Sequence, residues 1–72
     1  MTFKQYMESV DMQVRNRIFA AIVEEARVSL SAIYTWEKGT RTPTYTTQVV
    51  IRNTILRITG EDFTTEELFP CS

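Results

Sequence analysis

Residues 28–43, VSLSAIYTWEKGTRTP, contain both a start signal and a stop signal for one short helix. Ser29 is a typical N-cap, because its hydroxyl can accept from the unpaired backbone N–H groups of a first helical turn. Gly39 can take the left-handed conformation that ends many helices, and Pro43 cannot continue one. The segment therefore predicts a helix over residues 30–38.

Two helices are predicted before this segment. Thr2 followed by Gln5 is a capping-box pattern, which starts a helix over about residues 2–10. Asp11 can cap a second helix over residues 12–26. The second helix has an apolar stripe at helical spacing that is wide enough to form the core of the domain. The stripe consists of Val14, Ile18, Phe19, Ile22, Val23 and Ala26.

Residues 45–59 allow two interpretations. Their many β-branched side chains favour a strand by propensity. However, Ile51, Ile55 and Ile58 follow helical spacing, the run is long for a strand, and Gly60 closes it as a helix-ending glycine would. A lone strand would also have no pairing partner in an otherwise helical chain, so we predict a helix over 45–59.

The last helix is predicted over about residues 65–69, because Thr64 and Glu67 form a second capping-box pattern. Residues 1–72 are then a single, compact all-α domain of four to five helices. The helices over 12–26 and 30–38 are separated by about three residues, which is the spacing of a helix-turn-helix.

Composition argues against an enzyme. The chain has no histidine, and Cys71 is its one cysteine, so we expect neither a histidine-based triad, nor a zinc site, nor an internal disulfide. A glycine-rich phosphate loop is absent as well. We therefore expect no catalytic activity, no cofactor, no metal and no small-molecule ligand.

The N-terminal stretch MTFKQYMESV lacks the polarity of a signal peptide, and no apolar run approaches membrane-spanning length. We therefore expect a cytoplasmic protein without membrane contact. The net charge of −1 hides an uneven distribution, since residues 27–57 have five basic residues against Glu37, whereas four acidic residues follow Arg57. A basic middle is compatible with a polyanionic partner, although charge runs are usually solvated faces.

The two sides of the helix over residues 30–38 differ in character. Ile33 and Trp36 are three residues apart and are predicted to point into the core. The opposite stripe is polar, with hydroxyl groups that can bond to base edges, a tyrosine ring that can pack on a thymine methyl and a lysine that can reach a phosphate. That stripe consists of Ser31, Tyr34, Thr35 and Lys38.

Two alternatives stay open on this helix. Leu30 can be a core residue, which is the favoured interpretation for a leucine, or an apolar contact to thymine methyl groups. The polar stripe as a whole can also be the solvent-exposed side that every surface helix has, and this is the favoured interpretation of the stripe taken alone.

Residues 28–43 resemble the helix-turn-helix signature of the lambda repressor and Cro-like family, also called the Xre family. The residues in register are Val28, Ser29, Ile33, Trp36, Glu37, Gly39, Arg41 and Pro43. The ending GEDFTTEELF is similar to the family's closing pattern of a glycine, a capping residue and an acidic last helix with a leucine. In outline the resemblance covers about residues 12–70.

The resemblance implies a lambda-repressor-like helix-turn-helix domain, bacterial or phage in origin, that binds DNA and regulates transcription by occupying a site. Residues 30–38 become the recognition helix. Its base-facing positions fall on Leu30, Ser31, Tyr34 and Thr35. The positions facing the DNA backbone fall on Lys38, Thr40 and Arg41, with Arg27 and Arg52 as further phosphate candidates. Glu37 is expected to pair with Arg15 or Arg17.

The chain departs from the family pattern in three places. Arg27 stands where the family usually has glycine, and a left-handed conformation there would cost about 1 kcal/mol. Phe19 stands near the position of an expected glutamine. Leu30 and Tyr34 occupy base-reading positions where glutamine or arginine is common.

Double-stranded DNA is the expected partner, with a possible homodimer, since one half-site offers few contacts. Leu68 and Phe69 are candidates for a dimer contact and, equally, for closing the core of the monomer. Two other functions stay open: a protein-interaction module on the same fold that has lost DNA binding, and an accessory DNA-binding protein of a mobile element.

Overall fold

The structure, a computed structural model, describes residues 1–70, which form five helices and contain no strand. They are α1 (Phe3–Ser9), α2 (Met12–Ala26), α3 (Leu30–Lys38), α4 (Tyr45–Thr59) and α5 (Thr65–Leu68). The helical interpretation of residues 45–59 is confirmed, and the strand alternative is wrong. Within residues 1–70 no helix has the length and apolar character that crossing a membrane requires. Cys71 lies outside the described residues.

The helix ends are fixed by the residues that the sequence predicted. Four N-cap side chains accept a hydrogen bond from the backbone N–H three residues further on: Thr2, Asp11, Ser29 and Thr64. At the other ends, Gly39 and Gly60 take the left-handed conformation, with φ of 81° and 80°. These caps satisfy backbone groups that a helix leaves unpaired, so the bounds of α2, α3 and α4 agree with the prediction.

One apolar core joins all five helices. Its buried members are Phe3, Tyr6, Met7, Ile18, Phe19, Ile22, Ile33, Ile51, Ile55, Leu68 and Phe69. The predicted stripe of α2 faces this core, with Val14, Val23 and Ala26 packed at its margin. Leu68 and Phe69 are only 1% and 8% exposed, so they close the core and are not available for a dimer contact.

A polar contact joins α2 to α4 near their C-terminal ends. The Thr54 hydroxyl is fully buried and lies 2.7 Å from the Val50 carbonyl oxygen and 2.9 Å from Glu25 Oε2. Arg57 donates two hydrogen bonds to the Glu25 carboxylate, at 2.6 and 3.0 Å. Hydrogen bonds from Arg57, and then from Thr54, hold the pKa of Glu25 below the ordinary range of a glutamate. The contact therefore depends on the charged form of Glu25.

The contact of Glu25 with Arg57 and Thr54 is expected to make folding stability depend on pH in the acid range. Because the pKa of Glu25 is lower in the folded state, its contribution is complete above the ordinary glutamate pKa of about 4.3. It is lost as the pH falls through the lowered folded value. We expect Glu25→Gln to lower the urea midpoint at pH 7, and we expect this difference from wild type to shrink as the pH falls through the lowered pKa of Glu25. A difference in midpoint that does not change with pH would contradict the role of the charge.

Candidate nucleic-acid interface

The turn between α2 and α3 occupies residues 27–29. Arg27 takes the left-handed conformation, with φ of 56° and ψ of 46°, and it is the one non-glycine residue with positive φ in residues 1–70. Val28 then packs against the core, and Ser29 caps α3 by accepting from the backbone N–H of Ala32 at 3.2 Å. The left-handed conformation considered for Arg27 is confirmed. An arginine therefore occupies a backbone conformation that glycine would adopt with less steric cost.

Two substitutions of Arg27 distinguish the effect of its backbone conformation on stability from the effect of its charge. Arg27→Gly removes the steric cost of the left-handed conformation and is expected to raise the free energy of unfolding by about 1 kcal/mol. Arg27→Ala removes the same charge but keeps the strain, so its stability is expected to stay within about 0.5 kcal/mol of wild type. Thermal or urea unfolding of the two variants measures this, and equal stabilities would contradict the strain at this position.

The inner side of α3 is anchored by two apolar residues. Ile33 is fully buried, and Trp36 is partly buried and packs against the core. The predicted orientation of the helix is confirmed. Trp36 is less enclosed than Ile33 because its indole also lines a surface groove.

The outer side of α3 starts at Leu30. Leu30 is 44% exposed, Tyr34 is 39% exposed, and Ser31 and Lys38 are exposed as well. The core interpretation of Leu30 is therefore wrong, and Val28 takes the place at the core margin instead. Thr35 is only partly exposed, and its hydroxyl donates to the Ala32 carbonyl oxygen at 2.6 Å. Its oxygen can still accept, although its hydrogen is already engaged.

One flank of this outer side faces a groove rich in hydroxyl groups, here called the hydroxyl groove. Its hydroxyl side chains come from the N-cap of α3, from α3 itself, from the following loop and from the start of α4: Ser29, Ser31, Thr35, Thr42, Thr44 and Thr47. Its apolar lining consists of Val28, Ala32, Trp36 and Pro43. Arg41 lines the same groove. The loop is tied to the end of α3, because the backbone N–H groups of Thr40 and Arg41 donate to the Thr35 carbonyl oxygen at 3.1 and 3.4 Å. Arg41 is thus held beside Ser31 and Thr35.

The other flank faces a second groove, here called the apolar groove. It lies between α2 and α3, and its apolar residues are Phe19, Ala20, Val23, Leu30 and Tyr34. Asn16 and Glu24 complete its lining. The predicted base-facing residues therefore separate into two pairs, each pair four residues apart in the sequence. Ser31 and Thr35 belong to the hydroxyl groove, and Leu30 and Tyr34 belong to the apolar groove.

An ion pair between α2 and α3 fixes the angle between these helices. Arg15 donates to both oxygens of Glu37, at 2.8 Å from Nε and 2.7 Å from Nη2. The side chains are only 23% and 18% exposed, and the bond to Glu37 raises the pKa of Arg15. Of the two arginines that the sequence offered, Arg15 is the partner of Glu37. A bidentate pair of this kind adds directional specificity to the packing.

The basic side chains differ in what they contact. Within residues 1–70 the ion pairs are Arg15–Glu37, Arg52–Asp62 and Arg57–Glu25. Arg27, Lys38 and Arg41 belong to none of them, and all three are exposed. Arg52, by contrast, donates to Asp62 at 3.1 Å and to Asn53 at 3.1 Å, and it lines neither groove. Arg27, Lys38 and Arg41 therefore keep their charge available to an anionic partner.

Sequence reasoning missed some residues of this surface. Thr42, Thr44 and Thr47 belong to the hydroxyl groove, and the threonine-rich run TRTPTYTT, residues 40–47, is the signal that could have indicated them. The Tyr34 ring also contacts Phe19 and Arg15. No sequence pattern indicates these contacts, because they depend on how α2 and α3 pack.

No protein-family model, curated protein or solved structure matches this chain. The fold established is a small all-α arrangement of five helices.

Proposed function

We propose that this chain is a small sequence-specific DNA-binding protein with a lambda-repressor-like helix-turn-helix fold, and that it regulates transcription by occupying its site. The carrying observation is the two-sided character of α3. Ile33 is fully buried on one side, while Ser31 is exposed on the other side and lines an open groove with Thr35 and Arg41.

The arrangement of α2, the three-residue turn and α3 supports this proposal. In a helix-turn-helix protein the second helix lies in the major groove with its N-terminal residues near base edges. Here the N-terminal half of α3 supplies Leu30, Ser31 and Tyr34, all of which are exposed. Hydroxyl groups at this position can donate to or accept from bases, and each good contact of this kind adds discrimination.

Three cations that belong to no ion pair within residues 1–70 stand at or near the two ends of α3, which suits contact with the phosphate backbone. Arg27 precedes the helix, Lys38 is its last residue, and Arg41 follows in the loop with Thr40. Phosphate contacts set the position of a protein on a duplex, and base contacts give it specificity. Arg52 is the weakest of the proposed phosphate contacts, since it would have to leave Asp62, although an exposed pair like this is worth only about 0–1 kcal/mol.

Arg41→Ala is expected to weaken binding to all duplexes alike and to reduce the slope of log K against log salt by about one unit. Affinities measured at several salt concentrations give this slope. Arg57→Ala is the matched control, because Arg57 has the same charge, lines neither groove and is bound to Glu25. An unchanged slope for Arg41→Ala, or an equal change for Arg57→Ala, would contradict the phosphate contact.

A random pool of duplexes tests the function itself. We expect repeated rounds of selection to enrich a short consensus, and binding to the enriched duplex to weaken as salt rises. A palindromic consensus would indicate that two copies bind as a symmetric dimer. A pool that stays random through selection would contradict sequence-specific binding.

A protein-interaction module on the same fold is the second candidate function. The apolar groove favours it, because exposed Leu30 and Tyr34 side chains are suited to a protein partner as well as to DNA. The overall charge of −1 favours it too. An accessory DNA-binding protein of a mobile element would use the same surface as a regulator, so the duplex selection would succeed for both.

A further inference from the structure

The apolar groove contains the two large apolar side chains that α3 exposes. Leu30 and Tyr34 are 44% and 39% exposed, and with Ala20 of α2 they form a wall that continues inward to Phe19 and Val23. Single exposed apolar residues are normal on a protein surface and need no explanation. Here, however, two of them stand four residues apart on the helix proposed to enter the major groove, and they share one groove.

The Tyr34 ring is held in position from below. It meets the Phe19 ring edge to face, with centroids 5.7 Å apart and an interplanar angle of 62°. The Arg15 guanidinium lies 4.4 Å from the Phe19 centroid and 5.9 Å from that of Tyr34, and Glu37 fixes this guanidinium with two hydrogen bonds. A ring held in this way loses little conformational freedom when a ligand packs against it.

The chemistry of the DNA major groove limits which base groups can pack favourably in the apolar groove. Each base edge there presents hydrogen-bond donors and acceptors, and the apolar group among them is the C5 methyl of thymine. Placing a polar edge against the Leu30 side chain or the face of the Tyr34 ring would bury donors or acceptors without partners, which is unfavourable. Burying a thymine methyl group leaves no donor or acceptor without a partner.

The polar rim of the groove is compatible with a base edge. Glu24 and Asn16 line the groove beside the apolar residues. A carboxylate repels phosphates, but it accepts from the amino groups that adenine and cytosine present in the major groove. The groove is therefore suited to base edges and not to the DNA backbone, for which Arg27, Lys38 and Arg41 are available.

We propose that the apolar groove recognises thymine through its C5 methyl group, with Leu30 and Tyr34 as the residues that determine this specificity. The inference rests on the proposed function, because it assumes that α3 lies in the major groove. It goes beyond that function by naming a base and the two side chains that read it.

Replacing each thymine of the selected duplex by deoxyuridine tests the inference, since the two differ only in the methyl group. We expect the affinity to fall about fourfold for each methyl that contacts the groove. Leu30→Ala and Tyr34→Ala should each reduce the ratio of thymine to uracil affinity towards one. Tyr34→Phe is the matched control, because it keeps the ring and is expected to keep the ratio.

The outcomes separate the inference from the function on which it rests. Equal binding of the selected duplex when every thymine is replaced by deoxyuridine would overturn thymine recognition and would favour a protein partner for the apolar groove. That result would not contradict DNA binding. A ratio that survives both alanine variants would place the methyl contact elsewhere and overturn the assignment to Leu30 and Tyr34. Failure to select any duplex would overturn the proposed function itself.

Discussion

Ile33→Ala is expected to lower the free energy of unfolding by about 2–5 kcal/mol, the range for truncating a buried isoleucine. Ile33 is fully buried, and it is the residue of α3 that belongs to the buried core. Its loss removes apolar contacts and leaves a cavity that the surrounding side chains of a small domain can fill only in part. Urea unfolding followed by circular dichroism measures the change.

Leu30→Ala is the matched control for this substitution. It truncates an aliphatic side chain in the same helix, but Leu30 is 44% exposed, so the loss of stability is expected to be below about 1 kcal/mol. Equal losses for the two variants would show that α3 is oriented differently, and the assignment of its outer side would be wrong.

Ser31→Glu is expected to lower the affinity for the selected duplex by about 100-fold, since a like charge facing DNA costs several kcal/mol. Ser31 lies in the hydroxyl groove with Arg41, and its side chain is exposed. A carboxylate in the first turn of α3 is favourable for the helix itself, so the fold should be retained. Binding titrations at low salt measure the effect, and unfolding curves confirm the fold.

Gln13→Glu is the control for net charge. It adds the same negative charge at an exposed position of α2 that lines neither groove. We expect its affinity to change by less than about threefold, because Gln13 lines neither groove and salt screens an exposed charge that does not contact the duplex. If both variants lose affinity to the same extent, the effect comes from the total charge and the surface of α3 has no special role.

The helices could be predicted from the sequence because their signals are local. Ser29 and Gly39 mark the ends of α3 through caps that involve only neighbouring residues, and the same holds for Thr64 and Gly60. Even residues 45–59, rich in β-branched side chains, fold as a helix. Their isoleucine spacing places Ile51 and Ile55 in the core, and this packing outweighs propensity.

What the sequence did not reveal depends on contacts between distant residues. The α1 residues Phe3, Tyr6 and Met7 are core members because α1 packs against α3 and α5. Leu30 was favoured for the core by its residue type, yet Val28 fills that position and leaves Leu30 at the surface.

The candidate site shows the same division between local and distant contacts. The polar stripe of α3 follows from helical spacing, and Ser31 and Thr35 do line one groove. The choice of Arg15 over Arg17 as the partner of Glu37 required the packing of α2 on α3, because both arginines lie in the same helix two residues apart. The pairing of Arg52 with Asp62 likewise joins α4 to the loop before α5, which no local pattern indicates.

The most direct test of the central claim is a nuclear magnetic resonance titration of isotope-labelled protein with the selected duplex. If the outer side of α3 binds DNA, the largest changes in backbone amide shift are expected at Ser31, Tyr34, Thr35 and Lys38, and in the loop at Arg41. Changes that concentrate around Arg57 and Glu25, which line neither groove, or a spectrum that the duplex leaves unchanged, would contradict it.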